Sequence, residues 1–121
     1  MDLPNIWAEI DLDAIAHNVR ELRRITRPTA DLIAVVKADG YGHGAEAVAR
    51  TALANGARML AVARINEGVE LRAAGQRAPI LVMGPTFAPF ADQIIDHDLI
   101  QGVTGLDEAR QLAARAVKRN A

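Results

Sequence analysis

A lysine followed by a glycine-rich loop is the part of this sequence best suited to carry out chemistry. The loop reads Lys37-Ala38-Asp39-Gly40-Tyr41-Gly42-His43-Gly44 and directly follows the apolar run Leu32-Ile33-Ala34-Val35-Val36, which is typical of a buried strand. In βα architectures, active sites are built at the carboxyl ends of the strands. Lys37 therefore stands where its amine could form a Schiff base with an aldehyde.

Ordinary structural roles compete with chemical ones for these residues. Lys37 could simply extend its ammonium into water, and Tyr41 could be a surface residue rather than a phosphate ligand. We interpret His43 as a residue that orders the loop or caps the next helix, and Asp39 as a solvated carboxylate. No second ligand stands at metal-binding spacing, so no metal site is predicted. The glycines match neither phosphate-loop nor dinucleotide spacing.

The composition restricts the class of protein. The chain has 121 residues, enough for one domain with a core, and half of them are apolar. Its net charge of −1 gives no reason to expect nucleic acid or a membrane surface as partner. The absence of cysteine fits a reducing compartment. The N-terminus does not resemble a signal peptide, and no apolar stretch approaches the roughly 20 residues of a membrane span. We expect a cytoplasmic protein.

The N-terminal segment, residues 1–30, is predicted to be a strand and a helix that lead into the main domain. Residues 7–12 alternate between apolar and polar positions, which predicts a half-buried strand. Asp13 is the predicted N-cap of the following helix, which Pro28 ends.

Residues 31–121 repeat a strand–helix pattern four times. The predicted strands begin at residues 31, 59, 80 and 100, and the helices cover about 45–55, 65–74, 88–96 and 106–119. The strands are continuous apolar runs, which indicates cover on both faces. This tight spacing predicts an α/β fold of the (β/α)8 TIM-barrel type, of which only about four βα units, a half-barrel, are present. An independent four-stranded α/β domain is the alternative.

The loop and its surroundings resemble the alanine racemase family. The run from Ala34 to Gly44 is similar to that family's pyridoxal-phosphate signature, and residues 7–15 resemble its opening strand and helix. The segments at 49–53, 60–63 and 79–84 are similar to its first barrel helix and its second and third strands. The likeness covers essentially the whole chain.

This resemblance implies a function and a set of site residues. Lys37 would hold pyridoxal 5′-phosphate and act as the base on the D-alanine face of the substrate; Tyr41 would contact the cofactor phosphate, and Met83 would pack near the pyridine ring. The family interconverts L- and D-alanine as a homodimer and supplies D-alanine for peptidoglycan.

The resemblance also implies what these residues do not supply. The second base is a tyrosine of the partner subunit, and the arginine at the pyridine nitrogen comes later in the barrel. We therefore expect the isolated 121 residues to be inactive. The alternative is a half-barrel that no longer catalyses and serves as a binding or assembly module.

Overall fold

The computed structural model describes residues 5–121, which form four strands and six helical segments. The strands are β1 (Leu32–Val35), β2 (Ala57–Val62), β3 (Ile80–Val82) and β4 (Ile100–Gln101). The helical segments are α1 (Leu12–Ile25), α2 (Lys37–Tyr41), α3 (Ala45–Ala54), α4 (Ile65–Ala73), α5 (Ala91–Asp96) and α6 (Leu106–Arg119). A 3-10 turn at Ala88–Phe90 precedes α5. None of the helices in this part of the chain is both long enough and apolar enough to cross a membrane.

The four strands form one parallel sheet in the order β1-β2-β3-β4. Strand order that follows the chain, with a helical connection between neighbours, is the arrangement of a (β/α) barrel. A doubly wound sheet would instead reverse its order at a switch point. The predicted TIM-barrel-type half-barrel of four βα units is confirmed, and each of the four predicted strand–helix pairs is present.

The two faces of the sheet differ sharply in exposure. On the face that α3 and α4 cover, Val36, Leu60, Val62, Ile80 and Val82 are at most 1% exposed and pack with buried helix residues. On the opposite face, apolar side chains remain exposed. They include Ile33, Val35, Met83 and Ile100. Exposed apolar area of this extent marks a surface that another structural element covers in the assembled molecule.

The predicted N-terminal strand is wrong. Residues 6–11 belong to no helix or strand, and Trp7 is 69% exposed. The alternating pattern favours extended backbone, but a strand also needs a hydrogen-bonding neighbour, and these residues pair with none of the described strands. The predicted cap is also displaced, because Asp11, not Asp13, accepts from the backbone N–H groups of Asp13 and Ala14 at the start of α1.

Ion pairs join the last two helices. The guanidinium of Arg115 donates two hydrogen bonds to the Asp92 carboxylate, and Arg119 bridges Asp92 and Asp96. The hydrogen bonds from Arg115 lower the pKa of Asp92 to about 2, with a further contribution from Arg119. This network fixes α6 against α5.

Candidate active site at the carboxyl end of the sheet

Lys37 lies at the carboxyl end of β1, two residues beyond its last strand residue. Its side chain is half-buried, and its Nζ atom lies 5.8 Å from the centroid of the Tyr41 ring. That distance permits a cation–π attraction. Within residues 5–121 the amine of Lys37 takes part in no ion pair with a carboxylate. The amine is thus held near an aromatic ring and is not occupied by an acidic partner from this part of the chain.

The backbone after Lys37 forms a single left-handed turn. Four consecutive residues, Ala38, Asp39, Gly40 and Tyr41, have φ values of 51°, 54°, 63° and 57°. Only glycine adopts this region without a steric penalty, and an L-residue loses roughly 1–2 kcal/mol there. Strained backbone of this kind is typical of functional sites, where the surrounding structure enforces it. The sequence predicted a loop here but not its handedness.

Backbone hydrogen bonds hold this turn against its strain. The N–H of Gly40 donates to the carbonyl of Val36 at 2.9 Å, and the N–H of Gly42 donates to the carbonyl of Ala38 at 3.0 Å. Gly40 also fits closely, because a Cβ at this position would lie 3.3 Å from the backbone of Ala45, a tight contact. The turn therefore packs directly against the first residue of α3.

Asp39 and His43 both stabilise the loop. Asp39 is exposed, as predicted for a solvated carboxylate, and its Oδ1 atom also accepts a hydrogen bond from the N–H of Ala45 at 2.9 Å and so caps α3. The Nδ1 atom of His43 lies 3.1 Å from the carbonyl oxygens of both Gly40 and Tyr41, an arrangement that requires a proton on this nitrogen. The interpretation of His43 as a residue that orders the loop is confirmed.

Glu67 connects the Lys37 turn to the neighbouring strand. One carboxylate oxygen accepts from the N–H of Ala38 at 2.7 Å, and the other accepts from Ala63 and Arg64 at 2.9 and 2.8 Å. The bonds from Ala63 and Arg64 are local and cap the start of α4. The contact of Glu67 with Ala38 joins residues 29 positions apart, and no local pattern could have revealed it.

Met83 lies at the same edge of the sheet as Lys37. Val35 and Leu81 are both in register with Ala61, and Lys37 and Met83 each follow two residues later. Because parallel strands end at a common edge, this register brings Lys37 and Met83 to the same carboxyl edge of the sheet. Met83 is 39% exposed, so its side chain is accessible and not part of the core.

The segment after Met83 is fixed by a polar network. Gln101 donates to the carbonyl of Gly84 and accepts from the Thr86 hydroxyl. The Glu108 carboxylate accepts from the backbone N–H groups of Thr104 and Thr86, and these bonds lower the pKa of Glu108. The network ties the connection that directly follows Met83 to β4 and α6.

The fold and the site define the first half of a TIM-type barrel with a lysine at the mouth of its first strand. A family model described as "Alanine racemase, N-terminal domain" matches residues 10–121. The chain belongs to this alanine racemase family.

Individual relatives agree with the family assignment. The chain is 54% identical over 110 residues to the alanine racemase of Desulfosudis oleivorans, an alignment that covers 91% of this chain and 28% of that protein. It is 50% identical over 99 residues to the alanine racemase of a Nostoc species, which covers 82% of this chain and 26% of that one. The chain thus spans less than a third of the length of the curated relatives it matches.

Solved structures of this family share the fold. The alanine racemase of Clostridium difficile 630 in complex with cycloserine superposes with a TM-score of 0.88 and 32% identity, over 99% of this chain and 32% of that one. The Bacillus anthracis alanine racemase with bound L-Ala-P gives a TM-score of 0.80 and 37% identity, over 90% and 27% of the respective chains.

Proposed function

We propose that this chain is the N-terminal barrel segment of an alanine racemase that interconverts L- and D-alanine with pyridoxal 5′-phosphate as cofactor. The observation that carries the proposal is Lys37, whose amine lies at the carboxyl end of β1 beside the Tyr41 ring, on a strained turn. Family membership over residues 10–121 and the relatives named above support the same activity. The solved relatives with cycloserine and with L-Ala-P support a ligand of alanine-like size.

The residues present fit pyridoxal phosphate. An aldehyde needs an amine, which Lys37 supplies; a phosphate needs a hydrogen-bond donor, which the Tyr41 hydroxyl supplies; and a flat ring needs an apolar contact, which exposed Met83 supplies. When bound, the cofactor accepts into its ring the electron pair left at Cα of the substrate as the proton departs.

Lys37 carries the acid–base chemistry of this half of the site. Its amine takes the Cα proton from the D-alanine face and returns it to that face in the reverse reaction. The left-handed turn fixes the backbone on which the amine is mounted, and the nearby Tyr41 ring limits the directions it can take. Proton transfer requires such geometric control, because a small displacement of the base from Cα lowers the rate strongly.

The remaining parts of the active site are proposed to come from outside these residues. Racemisation needs a second acid or base on the opposite face of Cα, and the single tyrosine of the sequence, Tyr41, already has the phosphate role. We assign the second base to the partner subunit of a homodimer. The enzyme would work in the cytoplasm and supply D-alanine for peptidoglycan, and the isolated 121 residues would be inactive.

A racemisation assay tests this proposal. The full chain, with any further sequence that its reading frame encodes, is incubated with L-alanine and pyridoxal phosphate, and D-alanine is measured by chiral chromatography. We expect conversion that Lys37→Ala abolishes and that Lys118→Ala, the matched change at the other lysine of the sequence, leaves intact. Equal conversion by the Lys37→Ala protein would refute the role of Lys37.

A non-catalytic assembly module is the second candidate, and the open apolar face of the sheet favours it. Ile33, Val35 and Ile100 are 45%, 39% and 45% exposed there, which is unusual for a sheet that functions alone. A module of this kind would be folded as the isolated 121 residues and would form a monodisperse oligomer in which other copies cover this face. Size-exclusion chromatography with circular dichroism distinguishes the candidates, since the racemase segment requires the rest of the barrel to cover this face.

A further inference from the structure

We infer that Glu67 is a positioning residue for Lys37, acting through the peptide bond that joins Lys37 to Ala38. This inference rests on the proposed function, because it concerns how the backbone that carries the proposed cofactor lysine is oriented. Glu67 belongs to α4, a different βα unit from Lys37, and it reaches the lysine turn only through the fold.

The hydrogen bond between Glu67 and Ala38 acts on the backbone directly after Lys37. The N–H of Ala38 is part of the Lys37–Ala38 peptide, so this bond holds the peptide plane directly after the Lys37 Cα and, with β1 on the other side, fixes the backbone that carries the lysine side chain. Glu67 Oε1 accepts from this N–H at 2.7 Å, within the range of a strong bond to a carboxylate. No other acceptor for this N–H is found among the described residues.

The bond also offsets backbone strain at the residue it contacts. Ala38 has φ 51° and ψ 50°, a conformation that is unfavourable for a residue with a Cβ. Without the carboxylate, this peptide would lose the partner that favours its present orientation. The turn could then relax toward ordinary backbone angles, and the Lys37 amine would leave its position beside the Tyr41 ring.

The second oxygen of the Glu67 carboxylate is also held by hydrogen bonds. This Oε2 atom accepts from the N–H groups of Ala63 and Arg64, which directly follow β2. Glu67 thus ties the end of β1 to the end of β2, its nearest neighbour in the sheet. This bidentate arrangement needs an acceptor at both oxygens, a condition that glutamate meets and glutamine does not, because its amide nitrogen would face an N–H donor.

The experiment measures how fast Lys37 reacts, relative to Lys118, with pyridoxal phosphate in the full chain. Borohydride traps the adduct at each time point, and peptide mass spectrometry quantifies the two lysines separately. We expect Glu67→Gln to slow trapping at Lys37 about tenfold while Lys118 is unchanged, as the loss of one hydrogen bond to a charged group predicts. Glu70→Gln, an equal charge change at an exposed residue of the same helix that makes no hydrogen bond to Ala38, should keep the wild-type rate.

A second variant guards against a Glu67→Gln protein that does not fold. Replacing Ala38 by lactic acid converts the Lys37–Ala38 amide to an ester. This change removes the N–H that donates to Glu67 and leaves the hydrogen bonds from Ala63 and Arg64 to Glu67 in place. The same slowing at Lys37 is expected. Wild-type trapping rates at Lys37 in either the folded Glu67→Gln protein or the ester protein would overturn the inference.

Failure of the proposed function has a different signature. If wild-type Lys37 reacts no faster than Lys118, the cofactor role of Lys37 fails, and the positioning role is decided by hydrogen exchange without cofactor. The Ala38 amide must then exchange about tenfold faster in Glu67→Gln than in Glu70→Gln. Equal exchange in the two proteins would overturn the positioning role independently.

Discussion

The Nζ atom of Lys37 lies 5.8 Å from the centroid of the Tyr41 ring, across a turn whose intervening residues are all left-handed. A single unusual turn therefore sets both side chains that the proposed function needs first, the amine and the phenol. The turn is joined to the rest of the barrel by Asp39, which caps α3, and by Glu67, which reaches across from α4. The hydrogen bonds that Asp39 and Glu67 accept thus support the strained backbone of this turn.

Replacing Tyr41 by phenylalanine separates the roles of the ring and the hydroxyl. The Tyr41→Phe protein keeps the aromatic face near Lys37 but loses the donor proposed for the cofactor phosphate. We expect about tenfold weaker binding of pyridoxal phosphate, because a hydrogen bond to a charged group is lost, and unchanged binding of pyridoxal, which has no phosphate. Equilibrium fluorescence titration with both compounds gives the comparison. An equal loss of affinity for the two would contradict a phosphate contact.

Replacing Gly84 by alanine should destabilise the fold next to Met83. A Cβ at Gly84 would lie 2.4 Å from the carbonyl oxygen of Ala63, the same oxygen that accepts the Gly84 N–H, so the ends of β2 and β3 would have to separate. We expect a loss of about 1–3 kcal/mol in the free energy of unfolding, the usual range for overpacking. Urea unfolding measures it.

The matched control for Gly84 is Gly105. An added Cβ there meets nothing within 4 Å, and its φ of −160° suits any residue. Gly105→Ala should therefore lower the free energy of unfolding by less than about 1 kcal/mol, as expected for a change at a helix N-cap. If the two alanine variants were equally stable, the close approach of β2 and β3 at Gly84 would be incorrect.

Acid should weaken the contact between α5 and α6 within a defined pH window. The pKa of Asp92 is lowered from 3.8 to about 2 in the folded chain, mainly by the Arg115 hydrogen bonds. The unfolded state thus binds a proton more readily, so the stability from this group is present above about pH 4 and is lost as the pH falls toward 2. Asp92→Asn should flatten the pH dependence of the unfolding midpoint in this window.

Glu46→Gln serves as the comparison for Asp92. Glu46 pairs with Arg50 on the exposed surface of α3, and ion pairs of that kind contribute little. Its variant should retain the slope between pH 4 and 2 that the native protein shows. A native slope in Asp92→Asn as well would mean that the acid sensitivity comes from other carboxylates.

The four βα units could be read from the sequence because each rests on a local pattern. Apolar runs such as 59–63 and helical stretches such as 106–119 carry their own periodicity, and α6 spans the residues that the pattern predicted. The segment at residues 7–12 has such a pattern and still forms no strand. Its alternation is genuine, but pairing depends on a neighbouring strand, and pattern alone does not supply one.

The sequence predicted the position of the candidate site, but not the backbone conformation of its turn or the contacts that support it. Lys37 and the following glycines mark the loop, whereas Ala38 and Tyr41 have no intrinsic preference for the left-handed region they occupy. Their conformation is supported by backbone hydrogen bonds within the turn and by long-range contacts such as that of Glu67 with the Ala38 N–H. The roles of Lys37, Tyr41 and Met83 toward a cofactor remain predictions.

Mapping the cofactor lysine tests the central proposal most directly. The full chain is incubated with pyridoxal phosphate, reduced with borohydride and digested, and the pyridoxyl group is located by mass spectrometry. If Lys37 is the cofactor lysine, the label lies on Lys37, it is absent from Lys37→Ala, and the exposed Lys118 carries only a background level. Label on Lys118 with none on Lys37 would contradict the proposed active site.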